Sequence, residues 1–117
     1  MKRFILAGAL QSLSLFAVAG DTGYAEIAWM NVERGNIYIK MDPELNLSSC
    51  GDSTYSKTIV KIDVDSDGFS EMYSMTLAAY MAGQKVKFWI DGCSMSPWAN
   101  TEIPNAYAAQ LCRTGCQ

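Results

Sequence analysis

Apolar and polar positions alternate with period two in several short segments and switch once to a helical period. Tyr24 to Val32 sets Ala28, Met30 and Val32 against Ile27, Trp29 and Asn31, which predicts a first strand. Glu33-Arg34-Gly35-Asn36 predicts a turn. Ile37, Ile39 and Met41 then alternate with Tyr38 and Lys40, a half-buried strand that Asp42-Pro43 ends. Residues 44–57 are rich in Ser, Asn and Gly and predict a long loop around Cys50. Thr58 to Val64 is the third expected strand, with Val60, Ile62 and Val64 on one face and Ile59, Lys61 and Asp63 on the other. After Gly68 the apolar spacing becomes three and four, through Phe69, Met72, Tyr73, Thr76, Leu77, Ala79 and Tyr80. A helix over 70–82 is predicted, stopped by Gly83 in the left-handed conformation. Lys85 to Asp91 is a fourth strand, with Val86, Phe88 and Ile90 inward and Lys87 and Trp89 outward. Ser94 to Asn100 is a loop with Pro97 and Trp98.

The last segment has two local readings. "NAYAAQLCR" is built of good helix formers, whereas Tyr107, Ala109 and Leu111 alternate as a strand would. Topology favours the strand. Three strands, a helix and two strands is the order of the OB-fold, a five-stranded Greek-key barrel, and without its fifth strand the barrel would keep exposed edges. The expected fold is therefore a mainly β, five-stranded OB barrel with one helix between strands three and four.

The N-terminal pattern changes where that domain begins. Lys2 and Arg3 precede a mostly apolar run from Phe4 to Val18, and Ala17-Val18-Ala19 offers the small-x-small pattern of signal peptidase. Residues 1–19 are expected to be a signal peptide and 20–117 a single OB domain, with no membrane span in the mature chain, in the periplasm or secreted. Without Lys2 and Arg3 there remain seven basic side chains against twelve acidic, a net charge of −5. That balance argues against a nucleic-acid partner.

Four cysteines, Cys50, Cys93, Cys112 and Cys116, in an exported chain of this size predict two disulfides and allow three pairings. Cys112 and Cys116 are close enough to close a local loop, in which case Cys50 with Cys93 bridges distant segments. A zinc site is disfavoured by the spacing and by the absence of histidine.

"EMYSMTLAAYMAGQKVKFWIDGC", residues 71–93, resembles the helix-to-strand segment of the subtilase-cytotoxin-type (AB5) binding subunits. It is most similar to a group of small, uncharacterised exported proteobacterial proteins. Tyr73, Ser74, Leu77, Ala78, Ala79, Gly83, Val86 and Cys93 carry the pattern, and Cys50 stands where the partner cysteine lies. The resemblance implies an OB-fold; in the toxin family such subunits form pentameric rings and bind sialylated host glycans. No sugar-binding residue carries over from that family, and the Cys112/Cys116 pair lies outside its pattern.

With no histidine, the usual general base and the Ser-His and Cys-His pairs are missing, so no enzyme and no cofactor is expected. Binding fits the inventory better. Trp98, in a loop with Ser96 and Asn100 just past a cysteine, is the first glycan-site candidate, and Trp89 beside Lys87 is the second. Both tryptophans are also natural packing residues. The apolar arc of the helix is wider than one core contact needs, so Tyr73, Leu77 and Tyr80 are candidate interface residues of a homo-oligomer.

Two short motifs are weak. Asn46-Leu47-Ser48 fits a glycosylation triplet by chance in a bacterial-like exported chain. In "DVDSDGFSE", Asp63, Asp65, Asp67 and Gly68 match the start of a calcium loop, but Ser74 falls where a bidentate Glu is needed. The same residues suit a strand-to-helix joint, with Asp67 or Ser70 capping the helix. The expected function is an exported glycan or cell-surface-ligand binding module. The alternative is an envelope interaction or structural module without a small ligand.

Overall fold

The computed structural model describes residues 19–45 and 50–116. The expected signal peptide, apart from Ala19, and the Asn46-Leu47-Ser48 triplet lie outside them. The elements in order are β1 (Ala19–Asp21), β2 (Glu26–Glu33), β3 (Asn36–Asp42), α1 (Thr54–Thr58), β4 (Ile59–Ile62), α2 (Phe69–Ala82), β5 (Lys85–Met95) and β6 (Glu102–Cys112).

They form one six-stranded sheet in the order β1-β5-β6-β4-β3-β2. The β4–β6 pair is parallel, through Lys61 and Asn105, and the other pairs are antiparallel. The segment from Ala19 to Ala25 runs along β5: the Thr22 N–H donates to the Phe88 carbonyl at 2.9 Å, and Ala25 and Val86 exchange backbone bonds at 3.1 and 2.9 Å. The chain then crosses to β3 as β2. Ala25–Val86 is an isolated bridge, so no ladder joins β2 to β5 and the sheet does not close. The expected closed five-stranded barrel is corrected to an open sheet of six.

The extra strand escaped the hydrophobic pattern because nothing apolar directs it. Residues 20–23 are Gly-Asp-Thr-Gly, held by backbone pairing and by the Phe88 N–H donating to the buried Thr22 hydroxyl at 3.0 Å.

The alternation holds in β3, β4 and β5, and a bulge breaks it in β2. Ile37, Ile39 and Met41 of β3, Val60 and Ile62 of β4, and Val86, Phe88 and Ile90 of β5 share one core with Met72 and Ala79 of α2. Burial of such side chains stabilises the fold by roughly 1.5–3 kcal/mol each. The hydroxyl of buried Thr76 donates to the Met72 carbonyl at 2.6 Å, so α2 brings no unpaired polar group into this core. The β2–β3 turn takes positive φ at Arg34 (54°) and Gly35 (85°), the backbone of a two-residue hairpin.

Boundaries differ in three places. The expected 44–57 loop contains α1, begun by Ser53, whose Oγ accepts the Ser56 N–H at 3.0 Å. The third strand ends at Ile62, and β5 extends to Met95. The ambiguous last segment is a strand, β6. Neither Asp67 nor Ser70 caps α2. Gly68, at φ 73°, stands at the cap position without a side-chain bond, and the turn bonds Ser66 N–H to Asp63 carbonyl and Phe69 N–H to Ser66 carbonyl lead the chain in. Gly83 ends α2 in the left-handed region as expected, at φ 68°.

The two disulfides pair Cys50 with Cys93, Cα atoms 5.8 Å apart, and Cys112 with Cys116 at 5.9 Å. Two bridges and no free cysteine among the described residues fit an oxidising compartment. Among the same residues no helix is long and apolar enough to cross a membrane.

Candidate functional site

The sheet has a second, smaller apolar cluster on its other face, where Tyr38, Ile59 and Ile103 are buried with Trp29 against them. A bulge between Ile27 and Trp29 sets this up. Ile27 and Met30 stay on the main core, opposite Met41 and Ile39, while Trp29 turns to the other face opposite Lys40. Asn31, opposite Tyr38, and Glu33 follow Trp29 on the same face.

Trp98 descends onto this cluster from the β5–β6 loop. Its ring centroid lies 4.9 Å from Tyr38 and 5.9 Å from Trp29, both edge-to-face, and 6.2 Å from Tyr55 of α1. These geometries are the favoured arrangements for aromatic pairs. The indole Nε1–H donates to Glu33 Oε1 at 3.2 Å, which fixes the rotation of the ring. Tyr38 is 4% exposed and lines the neighbouring recess with Glu33 and Arg34, whereas Tyr55 and Trp98 are each 38% exposed and form walls of the cleft. Together Trp29, Met30, Asn31, Tyr55 and Trp98 line an open cleft of about 360 Å³.

The loops that carry the two walls are tied together. Cys50 and Cys93 each stand five residues before a wall, Tyr55 and Trp98 respectively, and they are bonded to each other. The Ser56 hydroxyl, itself paired with Ser53, donates to the Glu102 carbonyl and fastens α1 to the start of β6. The cleft is thus held on both sides by covalent and hydrogen-bonded supports, and little ordering is left for a ligand to impose.

The candidates from sequence separate into three groups. Trp98 lies in the cleft. Ser96 is buried behind it, its hydroxyl accepting the Trp98 N–H at 3.3 Å and its N–H donating to the Thr101 carbonyl at 2.8 Å, so it shapes the loop. Asn100 is exposed on the same loop and does not line the cleft. Trp89 sits apart on β5, where the Lys87 ammonium lies 4.7 Å from its ring centroid and 4.8 Å from that of Tyr24. The cleft residues that sequence reasoning missed are Trp29, Met30, Asn31 and Tyr55, with Glu33 and Tyr38 behind them in contact with Trp98.

The aspartates after β4 do not converge. Asp63 pairs with the Lys61 ammonium at 3.5 Å and caps the Asp65 N–H at 2.8 Å, while Asp65 and Asp67 are exposed. Among the described residues no three carboxylate or thiol groups are placed to hold a metal ion. On α2, Tyr73 stacks on Phe69 at 6.3 Å and packs against the core. Leu77 and Tyr80 are exposed, and Met81 beside them is 78% exposed.

Comparison of the chain with family models, with curated proteins and with solved structures found no match.

Proposed function

We propose that the protein is an exported binding module that recognises a saccharide or cell-surface ligand in the aromatic cleft, without catalysis. The observation that carries this reading is the convergence of Trp29, Tyr55 and Trp98, from three separate segments, on one solvent-open cleft with Asn31 at its edge. Sugars lay their apolar C–H faces on aromatic rings and satisfy their hydroxyls with amide and carboxylate groups. A cleft with this lining offers both, on a scaffold whose rings are already fixed.

The sheet order supports reading the fold as an opened OB-like barrel. Its parallel β4–β6 pair and the helix between β4 and β5 suit that topology, and β1 extends it at one edge. The cleft then lies on the sheet face and loops where such barrels bind ligands. The motif residues of 71–93 support a toxin-binding-subunit-like relationship and a ring-forming assembly.

A glycan array probed with the oxidised protein tests the reading. Selective binding is expected, and Trp98→Ala and Tyr55→Ala should each abolish it while circular dichroism shows a folded β protein. No signal on any glycan would sink the proposal. The alternative, an interaction module without a small ligand, draws on exposed Leu77, Tyr80 and Met81 of α2. It would be favoured by self-association combined with a silent array.

A further inference from the structure

The aromatic cleft has a neighbour. Pro97, one residue before Trp98, lines a recess of about 280 Å³ with Glu33, Arg34, Asn36 and Tyr38. Trp98 stands between the two hollows. It walls the cleft, its ring centroid lies 4.9 Å from that of Tyr38, and its indole N–H donates to Glu33 Oε1 at 3.2 Å. Both hollows follow one face of β2, on which Trp29, Asn31 and Glu33 succeed one another. From Trp29 to Glu33 the strand rises about 13 Å, which is longer than a single pyranose ring. The chemistry of the two differs. The cleft is aromatic with one amide, Asn31, whereas the recess gathers a guanidinium, a carboxylate and an amide. Arg34 and Glu33 line it without an ion pair between them, since the one ion pair among the described residues is Lys61 with Asp63. Glu33 keeps a second carboxylate oxygen beyond the one that holds Trp98. Asn36 uses its Oδ1 on the Val64 N–H at 2.8 Å, so its amide N–H groups are what it offers to the recess.

We propose that the two hollows are adjoining subsites for a saccharide chain, one ring stacked in the cleft and the next held by its hydroxyls in the recess. The inference rests on the cleft being a saccharide site and names the class it takes: a linear segment of two or more rings. Aromatic faces hold a ring by its C–H surface and distinguish hydroxyl patterns poorly. A guanidinium donates in pairs and a carboxylate accepts in pairs, which matches the vicinal hydroxyls of a sugar ring. Arg34 and Glu33 are therefore the residues that read which sugar follows the stacked one. The backbone suits the task, because Arg34 stands in the two-residue β2–β3 turn at φ 54° and its place is set by the hairpin.

The experiment uses the full oxidised protein and glycans graded by size. An array carries glucose, galactose and N-acetylglucosamine beside the linked dimers and trimers built from them. Calorimetry then measures the monosaccharide, disaccharide and trisaccharide of each series that binds. The disaccharide should bind about tenfold or more tightly than its monosaccharide, because the recess adds hydrogen bonds to charged groups. The third ring should add little. Arg34→Asn tests the recess directly. Asparagine tolerates positive φ and suits a two-residue turn before Gly35, so the hairpin is kept while the guanidinium is lost. The variant should narrow the disaccharide-to-monosaccharide ratio to about threefold or less. Glu71→Gln, on α2, should leave that ratio at the wild-type value. A monosaccharide bound as tightly as its dimer, or a ratio unmoved by Arg34→Asn, would overturn the proposal while leaving the cleft a saccharide site. Silence across every series would overturn the saccharide reading, and the paired subsites with it.

Discussion

Aromatic residues in this chain serve two different ends, and burial distinguishes them. Phe88 is fully buried in the main core, whereas Tyr55 projects from α1 with 38% of its surface exposed. Phe88→Ala should therefore cost about 3–5 kcal/mol of stability and Tyr55→Ala less than about 1 kcal/mol, measured by urea unfolding of the two variants. Trp98 falls between, because its ring touches Tyr38 at 4.9 Å as well as facing solvent. Its truncation should lower the midpoint modestly, so the conservative Trp98→Phe is the cleaner partner in binding assays. Trp98 was legible in the sequence because a tryptophan among Ser, Pro and Asn in a loop has no periodicity to explain it. Trp29 was hidden by its strand: Ile27, Trp29 and Asn31 look like one face until the bulge after Ile27 shifts the register. Gly83 was legible because the helical spacing ends there. Gly83→Ala should cost about 1 kcal/mol at its φ of 68°, with no steric clash to add.

At the scale of elements, hydrophobic alternation found β2 to β5, the topological argument decided β6, and β1, which has no apolar face, was missed. β1 contributes backbone bonds along β5 and no apolar side chain from Gly20 or Asp21. α1 is a five-residue helix inside a polar loop, too short for periodicity to show. It matters because it raises Tyr55 against the cleft. The long disulfide connects this element to β5 across 43 residues, and the short one spans only four. In the chain-entropy view the first should stabilise by about 4 kcal/mol and the second by about 2 kcal/mol. The paired replacement of Cys50 and Cys93 by alanine should therefore lower stability more than that of Cys112 and Cys116, as read by chemical unfolding. It should also weaken ligand binding even where the sheet remains folded, because Tyr55 and Trp98 lose their common tether. Equal losses from the two bridges would mean that the 50–57 segment is already held by the Ser56–Glu102 bond and the β-strand that follows.

On the scale of the whole molecule, the sheet has one face covered by α2 and another that carries the aromatic cleft, so the two apolar surfaces do not compete. The succession from β2 to β5 and the single main helix were legible from the change of period, but whether the sheet closes was not. Closure depends on where the 19–33 segment changes partners, and that is decided by backbone bonds that leave no mark on the apolar pattern. The exposed side of α2 makes the last prediction. Leu77, Tyr80 and Met81 are presented outward, and Glu71 is the only charged residue between Phe69 and Ala82. A surface so poor in charge has little with which to choose an unlike partner, whereas self-association about a symmetry axis needs only apolar complementarity. Sedimentation velocity of the wild type should show reversible, concentration-dependent association, and Tyr80→Glu should return the protein to a monomer by placing a charge in the contact. Glycan affinity per site in solution should be the same for both, because α2 lies away from the cleft. Binding to a densely coated glycan surface should fall in the Tyr80→Glu variant, since multivalent capture is lost with the assembly. A wild type that sediments as a monomer at every concentration would exclude α2 as a self-association surface and leave the cleft to act alone.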